Sequence, residues 1–249
     1  MSQGGHPLTP LTIVLAGGLG TRLRAVVRDR PKPMSLVAGR PFLEYALGHL
    51  RSQGVRRIFL AVGYMGETIR EHFGDGSRFG LEIEYSDEGD RLLGTGGAVR
   101  RALAAAGSAG GEPVLIMNGD TYVDFDLSAL RASHAGRGAA VTMVAVRMAD
   151  VSRYGAVDLD SKGAVVAFRE KGHSGFGCIN GGVYFGATEV FERLLPAKGP
   201  GSLEALVLRT LAGRGLYAHV TAGVFIDIGV PHDYRRAQAL LARRVIECP

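Results

Sequence analysis

Residues 15–23 read Leu-Ala-Gly-Gly-Leu-Gly-Thr-Arg-Leu, and a short way on stands Pro31-Lys32-Pro33-Met34. Gly17, Gly18 and Gly20 directly follow an apolar run, residues 11–15, so their backbone N–H groups are free to approach phosphate oxygens without interference from a Cβ. Arg22 supplies a guanidinium fork for phosphate, and Lys32 a compact positive charge on a backbone stiffened by Pro31 and Pro33. This is the chemistry of holding a polyphosphate and neutralising charge that develops on it. Two familiar phosphate loops are excluded. No Gly-Lys-Ser/Thr string occurs, and the residue three after Gly20 is Leu23 rather than the Gly or Ala of a dinucleotide fingerprint.

Two carboxylates have surroundings that suit a cation. Asp120 closes Asn118-Gly119-Asp120 after the apolar run 113–117, which puts it beyond the C-terminal end of a parallel strand, where open sheets bind ligands. Asp227 lies among Phe225, Ile226 and Ile228, and a carboxylate so placed needs a partner or a cation. On residue type alone, a turn or helix cap for Asp120 and a structural hydrogen bond for Asp227 explain them as well. Asp124 and Asp126 rank lower, as loop or cap residues. Arg169-Glu170-Lys171 and Asn180 could grip a phosphate and sugar hydroxyls, although Glu170-Lys171 alone reads equally as a charged turn. Leu93-Gly94-Thr95-Gly96-Gly97 opens an Ala-rich helix. Upstream, Asp87 and Glu88 are candidates to read a base edge, and a carboxylate suits the two donors of guanine.

Gly17 to Leu23 followed by Pro31 to Met34 resembles the signature of the sugar nucleotidyltransferase family, GGxGTRL and then PKPM or PKAL, at the expected separation. The resemblance implies that Leu15, Ala16, Gly17, Gly18, Gly20 and Thr21, with Gly94 and Thr95 of an LGTG segment, bind a nucleoside triphosphate. It implies that Arg22 and Lys32 stabilise charge around the reacting α-phosphate and that Asp120 and Asp227 hold Mg2+. It also implies that Tyr154, Gly155, Glu170, Lys171 and Asn180 bind a sugar 1-phosphate. Gly181 stands where Ala is commoner in the family, a small departure. From Leu11 to about Gln238 the wording resembles the branch that guanylylates manno-configured heptose 1-phosphates. That branch implies GTP as donor and a product used for cell-surface polysaccharide. Mannose-1-phosphate guanylyltransferases and uridylyltransferases of the same fold are the near competitors. A regulatory subunit that only binds sugar nucleotides is the rival from another class, and the presence of Arg22, Lys32, Asp120, Lys171 and Asp227 argues against it. A homodimer is expected by family analogy only.

Strand-like and helix-like stretches alternate around these residues: strands over 11–15, 57–62, 81–85 and 113–117, helices over 41–53, 65–73 and 96–106. That rhythm predicts a parallel sheet covered on both faces. Later strands over 140–146, 155–159, 164–168 and 182–185 have short connections and predict antiparallel additions, before helices over 188–194, 203–212 and 231–244. The expected fold is therefore α/β, a three-layer Rossmann-like sheet, mixed but mostly parallel, with small antiparallel additions. A single domain, its core about residues 10–243, is expected.

The 249 residues are 46% hydrophobic, enough for a sizeable core, and the net charge of +5 is scattered rather than concentrated in a run. There is no Trp and no basic helix interleaved with aromatics, so nucleic-acid binding is not expected. Cys178 and Cys248 lack metal-ligand spacing, the N-terminus lacks a signal pattern, and no apolar run is long enough to span a bilayer. A soluble, cytoplasmic protein with no membrane partner is the expectation.

Overall fold

The structure, a computed structural model, describes residues 9–23, 27, 29–89, 92–107, 111–172 and 174–242. Its strands are β1 (Leu11–Leu15), β2 (Leu36–Val37), β3 (Arg40–Pro41), β4 (Arg57–Val62), β5 (Glu82–Asp87), β6 (Pro113–Asn118), β7 (Thr121–Val123), β8 (Val141–Met148), β9 (Ala156–Leu159), β10 (Val165–Phe168), β11 (Gly177–Ala187), β12 (Leu216–Thr221) and β13 (Phe225–Asp227). The helices are α1 (Phe42–Ser52), α2 (Gly66–Phe73), α3 (Gly94–Ala106), α4 (Leu127–Arg137), α5 (Thr188–Leu194), α6 (Arg209–Leu211) and α7 (Pro231–Leu241).

Nine strands form the central sheet, ordered β10-β9-β11-β6-β1-β4-β5, with β8 beside β11 and β12 beside β8. β6, β1, β4 and β5 run parallel, and β11 turns the sheet antiparallel against β6, β8 and β9. The chain leaves β1 for β4 and β5 on one side and returns to β6 on the other. The C-terminal ends of β1 and β6 therefore flank the switch point at which such sheets bind ligands. Ile13 and Val14 are fully buried, because β1 is paired on both edges and covered on both faces.

Two apolar layers sandwich the sheet. One packs Leu43, Leu47, Leu50, Ile69, Leu127 and Leu130 of α1, α2 and α4 on one face. The other packs Val99, Leu103, Phe191, Val207 and Leu211 on the opposite face. A third cluster, with Val37, Phe42, Tyr122, Ile226, Ile228 and Ala237, joins the β2–β3 hairpin, β7, β13 and α7. Among the described residues no helix is long and apolar enough to cross a membrane.

The mostly parallel sheet with helices on both faces and antiparallel additions agrees with the sequence reading, and the differences have local causes. β11 begins at Gly177, because Asn180-Gly181-Gly182 breaks the apolar signal where the pairing register with β8 shifts. The helix expected over 203–212 is a wide π-helical turn, Glu204–Leu208, running into α6. Its start is held by Thr95, whose hydroxyl accepts from Leu203 N at 2.9 Å. β7 and β13 are three residues each, too short to show a period. α4 is rich in Ser and Ala, and has only Leu127 and Leu130 buried. α7 ends at Leu241, and residues 243–249, which include Cys248, lie outside the described residues.

Candidate active site

Lys32 opens a 3-10 turn, Lys32–Met34, after Pro31 in extended conformation, and its side chain is only 9% exposed. Nζ donates to Asp120 Oδ2 at 2.7 Å and to Asp227 Oδ1 at 2.9 Å, residues 88 and 195 positions further along the chain. The convergence has a simple origin. Gly119 N donates to Leu15 O at 2.8 Å, which pins the turn after β6 against the end of β1. β7 then pairs antiparallel with β13 in a register that sets Asp227 opposite Thr121, beside Asp120. Gly229 N donates to Asp227 Oδ1 at 2.7 Å and fixes that carboxylate's rotamer. Burial alone would lower the Lys32 pKa. The charges of Asp120 and Asp227, and their hydrogen bonds, outweigh it and hold the ammonium above the usual lysine value.

Two cavities meet at this cluster, and Asn118, the last residue of β6, lines both. The first, about 230 Å³, is bounded by Leu15, Ala16, Gly17, Gly18, Gly20, Lys32, Glu88, Gly94, Thr95 and Asp120. Glu88 is 8% exposed, and its Oε2 accepts from Leu93 N at 2.6 Å. Its Oε1 presses on Gly17, where any Cβ would collide with it and with the backbone at Gly63, so only glycine fits. Burial raises the Glu88 pKa, partly countered by the Leu93 bond. Asp87 does not line the cavity. It is exposed and accepts from Arg70 at 3.1 Å and from Gly89 N at 2.8 Å.

The second cavity, about 280 Å³, is lined by Tyr154, Gly155, Glu170, Lys171, Asn180 and Asp227, and also by Thr121, Glu204 and Arg209. Arg209 Nη2 lies 3.1 Å from both Glu170 Oε1 and Glu204 Oε1. The Tyr154 hydroxyl is buried without a hydrogen-bond partner among the described residues, while its ring meets Phe225 edge-on at 5.5 Å. Burial raises that phenol's pKa. A bidentate Arg153–Asp233 pair, at 3.0 and 2.8 Å, ties the loop bearing Tyr154 to the first turn of α7. Asn180 bonds the Tyr184 hydroxyl at 2.9 Å and accepts from Gly182 N at 2.9 Å, which fixes it at the register shift of β11.

All but two of the expected site residues therefore line one cavity or the other. Thr21 and Arg22 are exposed and line neither. Asp126 caps α4 by accepting from Ala129 N at 3.0 Å, and Asp124 accepts from Tyr122 Oη at 2.9 Å and Val224 N at 3.2 Å. Sequence reasoning gave no role to Asn118, Thr121, Glu204 or Arg209. Asn118 and Thr121 could have been found, because they flank Asp120 at the strand end. Glu204 and Arg209 carried no signal beyond helical spacing.

The donor set at Asp120 and Asp227 fits magnesium, which needs only one or two carboxylates when phosphate oxygens and water complete its shell. No larger cluster of His, Cys, Asp and Glu assembles among the described residues. The Lys32 ammonium between the two carboxylates marks the spot as one built around positive charge.

Residues 11–244 match the family model described as nucleotidyl transferase. The chain belongs to the nucleotidyl transferase family. This nucleotidyl transferase is 38% identical to the D-glycero-alpha-D-manno-heptose 1-phosphate guanylyltransferase of Aneurinibacillus thermoaerophilus, over 91% of its own chain and 96% of the relative's. It is 36% identical to the protein of that same name from Campylobacter jejuni, over 89% and 96%. Its fold superposes on HddC from Yersinia pseudotuberculosis, solved alone and complexed with GMP-PN, with a TM-score of 0.82 at 33% identity, covering 94% and 100% of the two chains.

Proposed function

We propose that this nucleotidyl transferase moves the guanylyl group of GTP to D-glycero-α-D-manno-heptose 1-phosphate, releasing pyrophosphate and GDP-heptose, a precursor for cell-surface polysaccharide. The observation that carries the reading is the Asp120–Lys32–Asp227 cluster at the junction of two cavities. The triphosphate lies along the Gly17–Gly20 loop, and guanine stands against Glu88. A buried carboxylate that already accepts from Leu93 N has Oε1 left for the base's N1–H and exocyclic amino donors.

The acceptor's phosphate is held by Lys171 and Arg209. Tyr154, Glu170, Asn180 and Glu204 meet sugar hydroxyls, and the orphan Tyr154 phenol gains its missing partner from one of them. One phosphate oxygen of the acceptor attacks the α-phosphorus in line with departing pyrophosphate. That oxygen is already anionic, so no strong general base is required, and catalysis rests on alignment and charge neutralisation. Lys32, and Arg22 from the exposed stretch after the glycine loop, stabilise charge on the α-phosphate. Asp120 and Asp227 would hold Mg2+, which would supply neutralising charge to the reacting phosphates. The free Cys178 thiol suits a reducing cytoplasm.

The test is pyrophosphate release with magnesium for GTP, UTP, dTTP, CTP and ATP, each against heptose-, mannose- and glucose-1-phosphate. Highest kcat/KM for GTP with the manno-heptose phosphate is expected. A better mannose-1-phosphate or UTP pairing overturns the specificity and keeps the reaction class. No turnover with any pair by a folded protein that binds a nucleotide sugar overturns the catalytic reading.

A further inference from the structure

Lys32 is asked to serve two places. It lies between Asp120 and Asp227, bonded to one oxygen of each, and those carboxylates are the donor set for a divalent ion. It also lines the nucleotide cavity, where the α-phosphate is to be neutralised. One ammonium saturated by two carboxylates has little left for a phosphate, and two carboxylates saturated by an ammonium offer little to a metal. Both needs are met only if the lysine changes partners.

Its seat is built for close approach rather than for a fixed clamp. A Cβ on Gly20 would stand 2.9 Å from Lys32 Cβ, and one on Gly229 would stand 2.9 Å from Asp227 Oδ1 and 3.2 Å from Lys32 Nζ. Glycine at both positions lets the two loops close around the ion pair. The carboxylates, at 38% and 34% exposed, remain open to the cavities, whereas the lysine they enclose is not open to solvent.

We propose that Lys32 is an exchangeable counter-cation that holds Asp120 and Asp227 together before substrate binds, yields them to the divalent ion arriving with the nucleoside triphosphate, and turns to the α-phosphate. The inference rests on the metal reading of Asp120 and Asp227 given above. The charge count favours the exchange. Two carboxylates and one ammonium sum to one negative charge, a divalent ion neutralises the pair, and the released ammonium meets the anionic triphosphate. Metal alone must displace a nearly buried ion pair and gives the lysine nothing in return, so metal and nucleotide bind synergistically.

Mn2+ as the probe separates the alternatives, with free ion read by electron paramagnetic resonance and protein by the metal-induced shift in Tm. Titrations are run with and without a GTP analogue that cannot be cleaved between the α- and β-phosphates. Removing a unit charge next to the carboxylates should tighten Mn2+ binding without nucleotide by at least about tenfold in Lys32→Met relative to wild type. The same variant should gain less Mn2+ binding from the analogue than wild type does, once the analogue's own affinity for Mn2+ is subtracted. Asp227→Asn should lose the site in both conditions. Lys32→Gln is made beside Lys32→Met, with circular dichroism on each, so that a misfolded variant is recognised. Variants that bind Mn2+ alone no more tightly than wild type overturn the exchange. So does wild-type protein that binds Mn2+ equally with and without the analogue. A wild-type protein that takes up no Mn2+ even with the analogue bound overturns the two-aspartate metal site itself, a separately recognisable failure.

Discussion

The two cavities differ in how they are made. The first cavity gathers a few local stretches at the C-terminal ends of β1 and β6 and the start of α3, with Gly17, Gly18, Gly20 and Gly94 in its wall. The second side takes residues from β9, β10, β11, β13, the loop before β9 and the turn before α6, and most of what it offers is side chain. A triphosphate presents the same oxygens whatever base it carries, and backbone N–H groups can serve them. A sugar is recognised by the arrangement of its hydroxyls, which side chains on separate elements can match and vary. The Asp120–Lys32–Asp227 cluster is the seam between the two cavities.

Removing the seam should have the largest effect and should leave both cavities able to bind. Asp227→Asn, Asp120→Asn and Lys32→Ala should each lower kcat by about 100-fold or more, in keeping with the loss of a charge-stabilising group in a preorganised site. Near-normal turnover in a variant whose circular dichroism matches wild type would remove that residue from the chemistry.

Glu88→Gln probes the nucleotide side alone. Gln keeps one acceptor but adds a donor, so kcat/KM for GTP should drop by about 10- to 100-fold, the cost of one charged hydrogen bond and its mismatch, while UTP gains relative to GTP. KM for the sugar phosphate should stay put; if it rises in step, the two sides are not independent.

Tyr154→Phe is the counterpart on the sugar side. Losing one hydrogen bond of about 1 kcal/mol should raise KM for the sugar phosphate about fivefold with KM for GTP unchanged. An unchanged sugar KM would mean that the buried phenol is not paired by the acceptor.

The smallest effect is in pH. Burial raises the Glu88 pKa above the ordinary 4.5, so the folded protein retains a proton that the unfolded chain has released. Stability contributed by this group is therefore greatest below pH 4.5 and falls as pH rises through the raised folded value, and Glu88→Gln should flatten that segment of a Tm-against-pH curve. GTP binding runs the other way and strengthens across the same window, as the carboxylate ionises to accept from guanine. An equally steep Tm decline in the Gln variant would assign the slope to another group.

The order of legibility follows the same division. The glycine loop and Asp120 could be read because each follows a run of apolar residues that announces a buried parallel strand, and Lys32 because Pro31 and Pro33 flank it. Glu170, Lys171 and Asn180 had no such local warrant and were reached through family resemblance. Glu204 and Arg209 were missed altogether, because they enter the second cavity from a π-helical turn and the first residue of α6, whose combined spacing imitates an ordinary helix. Asp87 and Glu88, adjacent in sequence, were indistinguishable until β5 ended between them. Strand pairing turns Asp87 outward to Arg70, while Glu88 N is drawn to Val62 O at 2.9 Å and its carboxylate is buried beside Gly17.

The sequence by itself determined the layered α/β sheet and the glycine loop after β1, because apolar runs of strand length and glycine clusters act over a few residues. Only the tertiary structure decided that Lys32 is enclosed by Asp120 and Asp227. That outcome depends on a three-residue pairing of β7 with β13, and on the docking of α7 on the β2–β3 hairpin, where Tyr234 Oη donates to Leu36 O at 2.7 Å. Such pairings join segments far apart in the chain through a handful of hydrogen bonds. Their energy comes from the apolar cluster behind them rather than from any pattern within them, and so they leave no local trace.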